Sequence, residues 1–318
     1  MTTHFQLLSF ELYTSICQIV ALNEDAGPAG APHARGLTGQ PSRELAVLMH
    51  RFAEAAERRD GAAMAALFAE DVTYHTPTLT ADLRGKDLTL RYLAAGTGIV
   101  DELKYTDQVS DDERLILFWT GILDQREISG ATVLAGEAEG LIHDITVLQR
   151  PWGVSASFRD GILPALAGVV PLPAWQLDDR KATAPDPDAG AGQRPGGPLA
   201  LAPDVALHSA MLTKALRGRE NVEAYRTLID GIAGTREYQA RFTQAGRLVE
   251  YWNGVIDGHH LQGIDVVKLD GNGSVTDQTA WLRPWPVVTL LRDRAIAASL
   301  PFLTADYWRL PAAPSYLP

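Results

Sequence analysis

Two histidines and two Asp/Arg sets are the residues of this chain best spaced for chemistry. His75 lies in Val72-Thr73-Tyr74-His75-Thr76, and His208 lies in Val205-Ala206-Leu207-His208-Ser209. An imidazole titrates near neutral pH, so either could serve as a general base. Neighbours on a strand point to opposite faces, so His75 and Thr76 cannot both face one pocket; a structural histidine is the competing reading. Asp144, Thr146 and Arg150 alternate along one strand face, as do Asp277, Thr279 and Arg283. An Asp with an Arg could orient a water, an epoxide or a carbonyl oxygen; the same residues could form a structural ion pair or a contact between domains. The other face of that strand reads His143, Ile145, Val147 against Thr276, Gln278, Ala280, and has drifted.

These pairs arise because the chain repeats itself. The offset is 205 − 72 = 133, and it holds without a gap. It matches Leu83-Arg84-Gly85 to Leu216-Arg217-Gly218, Trp119 to Trp252, and Arg150-Pro151-Trp152 to Arg283-Pro284-Trp285. It still holds for Arg159-Asp160 against Arg292-Asp293, and for Trp175 against Trp308. Residues 71–154 and 204–287 share 26 identities in 84 positions. A repeat of that length is a folded domain copied once, rather than a solenoid unit.

The elements that must position these residues follow from patterning. Ser42 is an N-cap for a helix running to Arg58, with Leu45, Leu48, Met49, Phe52 and Ala56 at helical spacing. A short helix at Ala62–Phe68 precedes a strand at Val72–Thr76. A turn at Arg84–Asp87 leads into a helix at Leu88–Ala94. Strands are expected at Lys104–Val109, Arg114–Leu123, Ala131–Leu134 and Leu141–Arg150, with turns at Gly136–Gly140 and Asp270–Gly273. The organisation is an N-terminal extension at 1–41, a domain at 42–178, a Pro/Gly/Ala-rich linker at 179–198 and a second domain at 199–318. The second domain has no room for the long first helix. It is either truncated or borrows one, from Phe5–Leu22 or from the chain after Arg292.

Composition sets limits. With 318 residues, 46% hydrophobic and 21% charged, the chain is long enough for two cores. A net charge of −11 argues against nucleic acid and anionic membranes as partners. Cys17 is the only cysteine, which excludes an internal disulfide and suits a cytoplasmic location. Phe5–Leu22 is interrupted by Gln6, Glu11 and Gln18 and has no preceding Lys or Arg, which argues against a signal peptide and a membrane span. His259-His260 lacks nearby Cys or spaced carboxylates, so no metal is expected. No phosphate-cradling glycine loop and no nucleophile elbow is present.

The order of elements, with Ala66-Leu67-Phe68-Ala69-Glu70-Asp71-Val72, Leu83-Arg84-Gly85-Lys86 and the ending Asp144 to Pro151, resembles the nuclear-transport-factor-2-like superfamily, in its SnoaL-like and ketosteroid-isomerase-like group. In the second copy the matching phrases are Gly263 to Asp270 and Asp277 to Pro284. The resemblance implies an α+β fold: two tandem cystatin-like cone domains, each a curved antiparallel sheet wrapped around helices, paired as an intramolecular pseudo-dimer. It implies a pocket for a small apolar molecule and acid–base chemistry without a cofactor, such as cyclisation, isomerisation or epoxide opening; a ligand-binding or scaffold protein is the alternative. The family's base sits where this chain has Thr76, followed by Pro77, and Ser209 in the second copy. Neither is a carboxylate, so that route is in doubt. A second family acid matches Asp265, opposite Thr132 in the first copy. Tyr74, Tyr92, Trp119, Ser209, Tyr225 and Trp252 are the expected pocket residues beside Thr76.

Overall fold

Strand-forming runs dominate each copy, and the helices pack where the pattern turns from period two to period 3.6. The computed structural model describes residues 43–111, 113–136, 141–177, 194, 197–234, 236–244, 246–298 and 300–309. The helix start at Ser42, the stretch Phe5–Leu22 and most of the linker lie outside the described residues. The first copy runs α1 (Arg43–Glu57), α2 (Gly61–Ala65), β1 (Phe68–His75), β2 (Leu83–Arg84), α3 (Lys86–Ile99), β3 (Asp101–Ser110), β4 (Arg114–Leu123), β5 (Arg126–Gly136), β6 (Ile142–Arg150) and α4 (Trp152–Leu166). The second runs β7 (Leu201–His208), β8 (Leu216–Arg217), α5 (Arg219–Ala233), β9 (Glu237–Gln244), β10 (Arg247–Ile256), β11 (His259–Leu269), β12 (Val275–Arg283), α6 (Trp285–Ala297) and α7 (Ala305–Trp308).

The strands form one sheet in the order β3-β4-β5-β6-β12-β11-β10-β9. The copies meet at its centre, where Leu282 of β12 pairs with Gln149 of β6. Each first strand departs from the expected antiparallel pattern: β1 runs parallel to β6, and β7 parallel to β12. Within each copy one sheet face closes over helices around its own core, Phe52, Phe68, Tyr92, Trp119 and Phe158 in the first and Val205, Tyr225, Trp252 and Leu291 in the second. Alternation puts other side chains on the reverse face. There Ile116, Phe118 and Leu148 pack against Val249, Tyr251, Ile264 and Trp281 in a third core shared by the copies.

A pseudo-twofold exchange reinforces that core. The Trp152 amide donates to the Ala210 carbonyl at 2.7 Å, and the Trp285 amide to the Pro77 carbonyl at 2.8 Å. The Trp152 and Trp285 rings stack at 5.7 Å. Arg292 lies over Trp152 at 4.0 Å and Arg159 over Trp285 at 5.2 Å. Such reciprocal contacts are the mark of an isologous interface.

The described part of the chain after Arg292 does not stand in for the first helix. It repeats the close of the first copy: Thr213 donates to the Tyr307 carbonyl, as Thr80 does to the Ala174 carbonyl. No described helix is long and apolar enough to cross a membrane.

Candidate functional site

The two cones have diverged in what fills them. In the first, α1 lays Phe52 across the mouth, and Tyr74, Tyr92, Tyr105 and Phe158 close on it, leaving about 50 Å³. In the second, no described helix stands in the place of α1. Leu207 and Leu291 occupy the places of Tyr74 and Phe158, and a cavity of about 740 Å³ opens. That volume is in the range of small-molecule sites. Its apolar wall includes Leu201, Leu207, Met211, Ile229 and Leu291; Arg194 and residues 197–199 line it as well.

Polar and charged side chains line much of the rest of its wall. Asp265 on β11 is 5% exposed and Glu250, its cross-strand partner on β10, is 2% exposed. Asp265 accepts from the Trp252 indole at 2.7 Å through one oxygen and from the Gln278 amide at 2.7 Å through the other. Arg236 adds an ion pair at 3.5 Å, stacks over the Trp252 ring at 4.4 Å, and also binds Asp230 at 2.6 Å. Gln278 is diagonal to Asp265, which pairs with Ala280 two residues on. Its amide oxygen accepts from Arg226 on α5, at 2.9 Å from Nε and by a second bond from Nη2. Arg donates only, so it fixes which way this amide points and presents the Gln278 NH₂ to Asp265.

Arg194 grips both oxygens of Glu250 through its Nε and Nη2, at 2.7, 2.9 and 3.0 Å, and Arg241 lies 3.5 Å away. Burial lowers the Arg194 pKa, but the hydrogen bonds and charge of Glu250 outweigh it and raise it overall. For Arg226 burial outweighs the nearby charge of Asp265 and holds its pKa below the usual value. Ser209 and the Tyr225 hydroxyl hydrogen-bond at 2.7 Å in the same wall, and burial raises the Tyr225 pKa.

This network is a set of replacements. At the 133-residue offset, Arg226 stands for Leu93, Arg236 for Leu103, Glu250 for Leu117, Asp265 for Thr132 and Gln278 for Ile145. Trp252 is common to both copies for a steric reason. A Cβ at Gly263, opposite it, would overlap the indole, as one at Gly130 would overlap Trp119.

The other candidates sit elsewhere. His75 bridges Asp82 at 2.6 Å and Asp144 at 2.8 Å, tying β1 to β6, and does not line the cavity that Tyr74 lines. Burial lowers its pKa, but those two carboxylates outweigh it and raise it to about 9. Such an imidazolium is a poor base. His208 meets Asp277 at 3.2 Å in the same manner. The Asp–Arg pairing is therefore not made: among the described residues Asp144 and Asp277 bond to histidines, while the arginines turn to the interface. Arg283, 5% exposed, donates to the Thr76 carbonyl at 2.7 Å, to the Leu79 carbonyl at 3.5 Å and to Gln262. Arg150 is largely buried, and burial lowers its pKa. Thr76 is fully buried and caps the Leu79 amide, whereas Tyr92 bonds Thr78 at 2.6 Å inside the filled cone. Asp124 and Asp257 have φ of 49° and 51°, as turn formers do. Among the described residues no cluster of metal-binding side chains occurs.

Asp265, Ser209, Tyr225 and Trp252 thus share one wall of the open cavity, and sequence reasoning missed Arg194, Arg226, Arg236, Glu250 and Gln278 there. A signal was present: charge appears in the second copy where the first has leucine on a core-facing position.

Residues 49–143 match the family model of the SnoaL-like domain. Among curated proteins none matches. The chain is similar to a crystallised uncharacterised protein with a cystatin-like fold from Silicibacter pomeroyi (21% identity, 40% of this chain, 90% of that one, TM-score 0.38). It is similar to a steroid delta-isomerase from Pseudomonas aeruginosa (19% identity, 40% of this chain, 93% of that one, TM-score 0.38). The matched residues lie within the first copy, which is thus similar to a SnoaL-like domain.

Proposed function

We propose that the second copy binds a small, partly apolar molecule in its open cone and performs acid–base chemistry on it, with Asp265 as proton acceptor and the first copy as its structural partner. The observation that carries this is the contrast between the cones. The same fold is filled with aromatic and aliphatic side chains in one copy, and holds about 740 Å³ lined by a buried carboxylate network in the other. Buried charges are costly, and a fold that needed only stability is better served by apolar residues of similar volume. The first copy has those residues.

Asp265 suits proton transfer geometrically. Trp252, Gln278 and Arg236 hold it in place, and it lines the cavity. The ketosteroid-isomerase-like base position is Ser209 here, so the proton transfer falls to the β11 acid. Fitting reactions are removal of a proton beside a carbonyl, or activation of water on an epoxide.

A second reading, binding without turnover, draws support from Glu250 and Asp265 both being neutralised by guanidiniums already. One experiment separates the two. Ketones, epoxides, steroids and terpenoids are screened by thermal shift, and every compound that raises the midpoint is followed for conversion. Conversion that Asp265→Asn abolishes while binding persists supports the enzyme. Conversion undiminished in Asp265→Asn refutes Asp265 as the base, and binding with no conversion of any compound supports the second reading.

A further inference from the structure

Among the described residues one cation of the second copy's cavity, Arg226, has no carboxylate within ion-pair distance, although the charge of Asp265 lies near it. Arg194 and Arg241 share Glu250, and Arg236 is shared by Asp230 and Asp265. Among the described residues Arg226 forms no ion pair; its recorded partner is the neutral amide oxygen of Gln278. Glu223, one turn earlier on α5, also lines the cavity but is exposed and makes no recorded bond to Arg226. The Gln278 contact uses Nε and Nη2, and the Nη1 side of the guanidinium has no recorded partner. Leu93 at the equivalent place in the first copy shows that the helix does not need an arginine there.

We propose that Arg226 is the anion seat of this cavity, and that its ligand is a small carboxylic acid with an apolar body. This rests on the reading of the cavity as a ligand site. A guanidinium recognises a carboxylate through paired N–H donors, in geometry a lysine cannot match. With its carboxylate on Arg226, the ligand points its body at Leu201, Leu207, Met211, Ile229 and Leu291. Gln278 touches both Arg226 and Asp265, so the carbons next to the carboxylate lie nearest Asp265. Like-charge repulsion keeps the carboxylate itself off Asp265.

The test is calorimetric titration of the full chain with matched pairs: hexanoate against hexanamide, benzoate against benzamide, and cyclohexanecarboxylate against its amide. Each is run on the wild type, Arg226→Leu and Arg226→Lys, in a buffer free of carboxylates. The expected result is that an acid binds and its amide binds far more weakly. Arg226→Leu then weakens the acid by roughly 30-fold or more and leaves the amide unchanged, with Arg226→Lys between. In the wild type added salt weakens the acid and not its amide, a readout that needs no variant. Equal binding of acids and amides overturns the anion seat and leaves the proposed function standing. Preference for acids that survives Arg226→Leu in folded protein overturns the assignment to Arg226. Binding of neither class here, with ketones or epoxides bound in the earlier screen, overturns the carboxylate ligand alone; no binding in either experiment overturns both readings.

Discussion

Asp265→Asn should cost more in this protein than an isosteric change ordinarily does, and Arg226→Leu should relieve part of that cost. Both oxygens of Asp265 accept, one from Trp252 and one from Gln278, each at 2.7 Å. Asparagine has one oxygen and an NH₂, so it must turn its NH₂ toward one of these donors. Gln278 cannot answer by flipping its amide, because Arg226 donates to the amide oxygen and a flip would set NH₂ against guanidinium. One buried donor is stranded, at about 1–3 kcal/mol. Loss of attraction to Arg236 is largely offset by relief of carboxylate desolvation, and Arg236 keeps Asp230. The net expectation is about 2 kcal/mol. In an Arg226→Leu background Gln278 can flip, donate into the cavity and accept from the introduced asparagine, so the same substitution should cost under about 1 kcal/mol. Urea unfolding of the four proteins gives the cycle, provided the slopes agree. A coupling of about 1–2 kcal/mol is expected. Additivity to within about 0.5 kcal/mol refutes the claim that Arg226 locks the amide.

The His75 clasp makes stability fall with alkali. The folded pKa of about 9 lies above the ordinary 6.5, so the clasp contributes fully below pH 6.5 and is lost as pH rises through about 9. Partial exposure of Asp82 and Asp144 reduces this to roughly 1–2 kcal/mol; His75→Asn should flatten the pH dependence of the unfolding midpoint, and an unchanged slope refutes the assignment. Arg283→Ala strands the Thr76 carbonyl and empties a buried site between the copies, at about 2–4 kcal/mol by chemical denaturation. A loss under about 0.5 kcal/mol, the scale of ordinary surface changes, counts against it as an interface residue.

The fold was legible because its signals are local or repeated. The offset of 133, the Arg-Gly turn before each middle helix and the hairpin at Asp270–Gly273 fix most of the strands. The helices after Arg150-Pro151 and Arg283-Pro284 were not read, since apolar residues lie on several sides of α4 and α6 and mask the stripes that are buried, Val154, Phe158, Ile162 and Leu166 in one and Val287, Leu291 and Ala295 in the other. The parallel seating of β1 on β6 joins strands far apart in sequence, where no turn chemistry announces a register.

The site was harder to see because identity between copies measures a different constraint. An isologous interface asks the same residue of both partners, so sameness collects at Arg150 and Arg283, Trp152 and Trp285, Arg159 and Arg292. A cone is released from that demand once its twin maintains the pairing surface. Yet it cannot change one residue at a time, because a lone buried charge costs several kcal/mol. Glu250 is stable only with Arg194, and Asp265 only with donors such as Gln278, itself oriented by Arg226. The second cone therefore departs from the first in a correlated group of differences that bring in polar and charged side chains together. Leu93, Leu103, Leu117, Thr132 and Ile145 against Arg226, Arg236, Glu250, Asp265 and Gln278 is such a group. The drifted face of β12 supplies Gln278 and Ala280 to the cavity, while on the preserved face Arg283 reaches across to the Thr76 carbonyl of the first copy.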